Sequence, residues 1–212
     1  MNDTELKIYN AAKEHFYKNG YYNTTVREIA KSAEVNSGLF NYYFQNKYNI
    51  AKMMYDDIFY NIKNLTLQYF NDEKNPAIFM GVMMRLHTYT LYSDPIVKFV
   101  MDALKEGIFE DSIFYTTEIL VKNIADYYKR NYTDEALHLL LSITIATEKT
   151  CLTQKYNGRI SYDLHQIANT ILKIHLSGFD LDKDEIARCT ESIVEKFEFI
   201  TSKHPNFVDL II

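Results

Sequence analysis

Glycine and proline are scarce, at six and three residues in a chain of 212. So few turn formers argue against a many-stranded β architecture and for helices. Long apolar runs are missing as well. No stretch of about eighteen consecutive apolar residues occurs, so no membrane-spanning helix is expected. The opening residues, MNDTELKIYN, contain no basic stretch leading into an apolar one, and no signal peptide is expected. Cysteine is limited to Cys151 and Cys189, far apart and without the spacing of metal ligands. They are expected to be reduced thiols in a cytoplasmic protein, with no metal or cofactor bound. Neither a glycine-rich phosphate loop nor a G-x-S-x-G elbow is found, which removes the main sequence signals of nucleotide hydrolysis and serine esterase chemistry.

What remains is a chain with 47% hydrophobic residues, long enough to bury a sizeable core in one or two domains. Its net charge of −5 excludes a basic coat over the whole surface. The charge is uneven, however. Residues 1–52 carry seven lysines and arginines against five acids, a net of +2, which leaves −7 on the rest. A mildly basic head on an acidic body suits docking of one end on a polyanion.

Helical signals follow one another along the chain. Ile8, Ala12 and Phe16 recur every four residues, and Gly20 closes the segment. Thr25 and Glu28 form a capping box, in which each side chain satisfies the other's orphan amide. Behind it Val26, Ile29, Ala30 and Ala33 keep a helical stripe, so a short second helix is expected. Asn36 is a good N-cap for a third, through Phe44. Asn46 caps a fourth, to about Phe70. Asn75 before Pro76 and Asp94 before Pro95 start helices expected at 76–92 and 95–105. Further helices fit 111–130, 134–156, 161–176 and 183–202, the last started by Asp182 or Asp184. The expected fold class is all-α.

Three short helices, the second and third joined tightly, make a helix-turn-helix whose third helix enters the DNA major groove. Small residues at its front, Asn36, Ser37 and Gly38 with Leu39, let it approach the bases closely. Phe40 and Phe44 can pack inward, while Tyr42 and Lys47 lie where they could meet phosphates. Packing in a helical core is the competing reading of these aromatics, and for Phe40 and Phe44 it is accepted. The segment TTVREIAKSAEVNSGLFNYYFQNKYNI resembles the DNA-binding domain of TetR-family transcriptional regulators. Its pattern is a threonine-capped T-V-x-x-I-A helix, a tight turn, then G-x-[LF]-x-Y-x-F-x-x-K. That resemblance implies phosphate contacts from Thr25, Tyr42 and Lys47. It implies base or groove contacts from Asn36, Ser37, Gly38, Leu39 and Asn41. Two positions depart from the pattern. Glu34 stands where the turn usually has glycine, and Asn41 where tyrosine is usual. Asparagine can bond adenine in bidentate fashion, so base preference is expected to differ.

The resemblance further implies a head at residues 1–47 and a regulatory, ligand-binding and dimerisation domain at 48–212. The protein would act as a repressor on a palindromic operator in double-stranded DNA. The segment LHLLLSITIA, residues 137–146, is apolar nearly all round, as a helix covered on two sides would be. With the next helix it is expected to form a four-helix homodimer interface through Leu137, Leu141, Thr144 and Glu148, and through Leu164, Ile167, Ile171 and Ile174. A pocket for an apolar or aromatic small molecule is expected at Met80, Met84, His87 and Leu91, faced by Phe99, Tyr115 and Tyr128. Ordinary core packing is the competing reading for each of these seven. An enzyme would need more than the chain offers. Glu135-x-x-His138 has the spacing of di-iron bundle proteins, which require a second such motif, and none occurs. A non-DNA-binding interaction module would leave the capping box and the small-residue helix front without a shared reason.

Overall fold

The computed structural model describes the backbone of residues 1–212 and the side chains of 1–108 and 117–212. Ten α-helices follow one another: α1 Asp3–Asn19, α2 Val26–Ser32, α3 Ser37–Phe44, α4 Lys47–Phe70 and α5 Pro76–Leu91. Then come α6 Val97–Glu106, α7 Ile108–Tyr127, α8 Asp134–Tyr156, α9 Leu164–Ser177 and α10 Lys183–Lys203. A short 3-10 turn, Phe207–Leu210, follows α10. The fold is all-α, as its scarcity of turn formers implies.

The helix boundaries follow from local chemistry. Asn46 Oδ1 accepts from Asn49 N at 2.9 Å to start α4. Asp163 and Gln166 form a reciprocal capping box at α9, and Asp182 Oδ1 accepts from Glu185 N at 2.8 Å to start α10. Three boundaries differ from expectation. The helix expected at 111–130 spans Ile108–Tyr127, and the one expected at 161–176 starts at Leu164, after its Asp163 cap. The helix anticipated at 95–105 begins at Val97, because Ser93 O accepts from Ile96 N and Val97 N and closes a turn over Asp94-Pro95. No side chain caps α6.

The chain divides into two compact units. The first comprises Met1–Ile58 and Leu91–Ser112. Its core is aromatic: Phe16, fully buried, stacks on Phe99 at 5.4 Å between centroids and tilts against Tyr21 at 5.7 Å. Those contacts bind α6 to α1. Gly20 is needed at their edge, since its φ is +82° and a Cβ there would lie 2.6 Å from Asp102 Oδ2. A side chain would meet α6 as well as the strained backbone.

The second unit comprises Phe59–Thr90 and Ile113–Ile212. Helix α10 packs on α9 and on α5. At Gly81 a Cβ would come within 2.3 Å of Ile193 Cδ1, so glycine lets α10 approach α5 closely. The buried Arg85 guanidinium of α5 reaches α9, donating to Asn169 Oδ1 and bonding His165 Nδ1, both at 2.6 Å. Asn61 Nδ2 donates to Ile211 O at 3.0 Å, anchoring the chain's last residues to α4. Helix α4 therefore contributes Lys47–Ile58 to the first unit and Phe59–Phe70 to the second. Among the described residues, no helix is long and apolar enough to cross a membrane.

Candidate nucleic-acid interface and regulatory cavity

The interface begins with Thr25. Its Oγ1 accepts from Glu28 N at 3.2 Å, while Glu28 Oε2 accepts from Thr25 N at 2.8 Å. The Thr25 hydroxyl and amide hold the Glu28 carboxyl below its ordinary range. Helix α2 ends in a left-handed residue: Glu34 has φ +57°, and Val35 N closes the turn on Ala30 O at 2.9 Å. This is the strained turn that the missing glycine suggested. A side chain in the left-handed region costs roughly 1 kcal/mol or more. Glu34→Gly is therefore expected to stabilise the fold by up to about 1 kcal/mol, seen as a melting point about 2–4 °C higher. A lower melting point would show that the turn does not carry this strain.

Asn36 Oδ1 then accepts from Leu39 N at 2.9 Å and starts α3. A Cβ at Gly38 would sit 3.0 Å from that same oxygen, so glycine leaves both the cap and the helix front open. Phe40 and Phe44 are buried, with rings 5.8 Å apart. On the other side Asn36, Gly38, Asn41 and Tyr42 are exposed, Tyr42 by 78%, and Ser37 and Leu39 are half-buried. The back of α3 thus holds the core while its front and side present an amide, small residues and a phenol.

Lys47 stands differently from the expected phosphate arm. Its Nζ donates to Tyr21 O at 2.8 Å and Thr24 O at 3.0 Å, and lies 4.1 Å from the Tyr21 ring centroid. Burial pulls its ammonium below the ordinary value, against the opposing influence of Glu106 and Asp102. The side chain ties α4 to the loop that presents Thr25. Spacing placed Lys47 correctly after α3 but could not show that the loop's carbonyls would claim it. Arg27, exposed in the first turn of α2, was not singled out from the sequence. Lys47→Ala is expected to cost about 1–3 kcal/mol of stability, the range for charge-assisted hydrogen bonds. It should weaken DNA binding without altering the salt slope, whereas Arg27→Ala should lower that slope by about 1.

A cavity of about 30 Å³ lies in the second unit. Met80, Met84 and His87 line it, as expected of α5. Four of the anticipated pocket residues are elsewhere or outside description. Phe99 is committed to the Phe16 stack, and Leu91 is buried but absent from the cavity wall. The Tyr128 hydroxyl is bound at 2.7 Å by Asn75 Nδ2 and donates to Glu185 Oε1 at 2.7 Å. Tyr115 lies outside the described side chains. Helical periodicity assigns a residue to a face but not to the neighbour that face meets.

Residues anticipated at a dimer interface are found on the cavity instead. Leu141, Thr144 and Glu148 line it, and Leu137 is buried in the same chain. In α9, Ile167 and Ile171 are buried within the chain too, Leu164 is half-buried, and Ile174 is exposed by 42%. The outward apolar positions of α8 are Leu139 and Ile143, exposed by 60% and 47%. An all-round apolar helix has two candidate faces, and only packing decides which is inside. Sequence reasoning missed Phe59, Met83, Leu120 and Ile145 on the cavity wall. The one available signal was Glu148 itself, an acid three and four residues beyond Ile145 and Thr144 on an apolar helix. Glu135 and His138 are exposed, and no metal-ligating group of three forms among the described residues.

Residues 8–54 match the family model for bacterial regulatory proteins of the tetR family. The head, residues 8–54, is thus similar to the DNA-binding domain of that family. The chain's fold agrees over most of its length with solved regulators. RolR in complex with resorcinol has a TM-score of 0.65 at 13% identity, covering 90% of this chain and 92% of that one. FadR from Thermus thermophilus, a TetR-family transcriptional repressor in complex with lauroyl-CoA, has a TM-score of 0.66 at 16% identity over 84% and 96%. FadR from Bacillus subtilis, in complex with stearoyl-CoA, has a TM-score of 0.59 at 19% identity over 82% and 98%. Comparison of the sequence with curated proteins finds no match. At these identities the fold is shared, while each ligand belongs to its own protein.

Proposed function

We propose that this protein is a cytoplasmic transcriptional repressor of the TetR family that reads a palindromic operator as a homodimer and leaves it when a small molecule fills the cavity of the second unit. The observation that carries this reading is the two-sided α3. Phe40 and Phe44 hold its back in the core, while Asn36, Gly38, Asn41 and Tyr42 are exposed at a capped, open front. A helix placed so can lie in the major groove with its first residues at base edges and Tyr42 donating to a phosphate. No catalytic role is proposed for any residue.

Two-fold pairing is proposed through the outer face of α8, with Leu139 and Ile143, and through Ile174 of α9, rather than through the inward Leu137, Leu141, Thr144 and Glu148. Leu164 at the start of α9 would lie beside it. Two heads about 34 Å apart would then meet successive half-sites. The ligand-bound relatives, RolR with resorcinol and FadR with acyl-CoA, support a ligand in the helical body. Phe59, on the cavity wall, belongs to the same α4 whose first residue is Lys47. A ligand that displaced Phe59 would therefore act on the helix that ties down the Thr25 loop. Such coupling needs only that the two states differ in affinity for the ligand.

Selection of random duplex DNA by the purified protein, with enriched sequences rebound at two salt concentrations, tests the reading. A palindrome with half-sites about one helical turn apart is expected. Absence of DNA binding at either salt concentration would overturn it.

A further inference from the structure

The cavity has an unusual polar wall. Glu148, only 5% exposed, lines it. Thr88 Oγ1 donates to Glu148 Oε1 at 2.7 Å, and His87 Nδ1 lies 3.2 Å from the same atom. Both contacts fall on Oε1, so Oε2 receives no hydrogen bond from the described residues. Among the described residues lining the cavity there is no lysine and no arginine, and His87 is the one other titratable group. The wall also includes Phe59 and three methionines, Met80, Met83 and Met84. A ring face attracts cations, and thioethers yield to fit irregular apolar shapes.

We infer that the ligand of this cavity is an organic ammonium cation with an apolar or aromatic body, its N–H donors directed at Glu148 Oε2. The inference rests on the cavity being the regulatory site and adds the chemical class it accepts. An anionic head is disfavoured. It would sit beside a carboxylate in a poorly screened interior, with no lysine or arginine among the described lining residues to receive it. At about 30 Å³ the space holds one or two waters. Entry of a larger body therefore requires the methionines to change rotamer, which their three rotatable bonds allow.

The test uses three probes with one body and different heads: phenethylamine, phenethyl alcohol and hydrocinnamate. Their binding to the full-length protein is followed by ligand-observed NMR titration. The amine is expected to bind at least about tenfold more tightly than the carboxylate, with the alcohol between them, since like-charge juxtaposition costs several kcal/mol. Glu148→Gln keeps the shape and removes the charge, and it should erase the preference. Equal binding of all three heads, a preference for hydrocinnamate, or no binding of any probe by the wild type would overturn the inference, and none of these needs the variant to fold. A preference that persists in a folded Glu148→Gln would overturn it as well. Operator release is measured separately. Amine binding with the expected preference but no release from a selected operator would sink the regulatory reading and leave the ligand class standing. A working operator with no head preference would do the reverse.

Discussion

Replacing Asn41 by aspartate should lower affinity for the selected operator by about a hundredfold, or about 2.7 kcal/mol. Asn41 is exposed on α3, three residues before the buried Phe44. If it bonds an adenine, the amide supplies a donor and an acceptor together, a pair worth about 1–3 kcal/mol of discrimination. Aspartate keeps the shape, loses the donor and adds a negative charge within a groove walled by phosphates. Asn41→Ala, which loses the contact without adding the charge, should fall short of that effect. Because position 41 is exposed, both variants should stay within about 0.5 kcal/mol of wild-type stability. Fluorescence anisotropy on the selected operator measures the first quantity and thermal melting the second. Unchanged affinity in Asn41→Asp would remove the residue from the interface and shift the recognition role to Asn36 and its neighbours.

Phe16→Ala should be the most damaging single core change in the first unit. Phe16 is fully buried and touches Phe99 on α6 and Tyr21 in the loop before α2. Truncating a buried phenylalanine costs about 3–5 kcal/mol, part of it for the cavity left behind. At about 2–4 °C per kcal/mol, the melting point should fall by roughly 6–20 °C. The injury should be local at first. Hydrogen exchange is expected to quicken in α1, α2, α3 and α6 before the second unit responds, since cooperative units open separately. DNA binding should fall with it, because Tyr21 and its loop lead directly to Thr25. A loss below about 1 kcal/mol would mean that the neighbouring rings close the gap, which a stacked aromatic site rarely does.

The two variants fall on opposite sides of what could be read without coordinates. Periodicity and capping placed α2, α3, α4 and α10 closely, since a cap is a local bond between residues three apart and needs no partner from elsewhere. Asn36, Thr25 and Asp182 act on their own helices. The α6 boundary was missed because its starting acceptor is a main-chain carbonyl, Ser93 O, which no side-chain pattern announces. Lys47 was legible as a position but not as a role. Its ammonium could have met a phosphate or a carbonyl, and only the path of the Tyr21–Thr24 loop settles which.

By itself, then, the sequence determined an all-helical chain, a helix-turn-helix with an open front, the family that head resembles, and a second helical body. These rest on interactions between near neighbours, in which spacing and residue type carry the physics. Tertiary structure alone decided that Phe99 serves the head's core rather than a pocket, and that Tyr128 binds Glu185. It also turned Leu141, Thr144 and Glu148 inward, leaving Leu139 and Ile143 outside. Helical periodicity has the same value whichever neighbour a face meets, so the choice between cavity, core and partner belongs to packing between residues far apart in the chain.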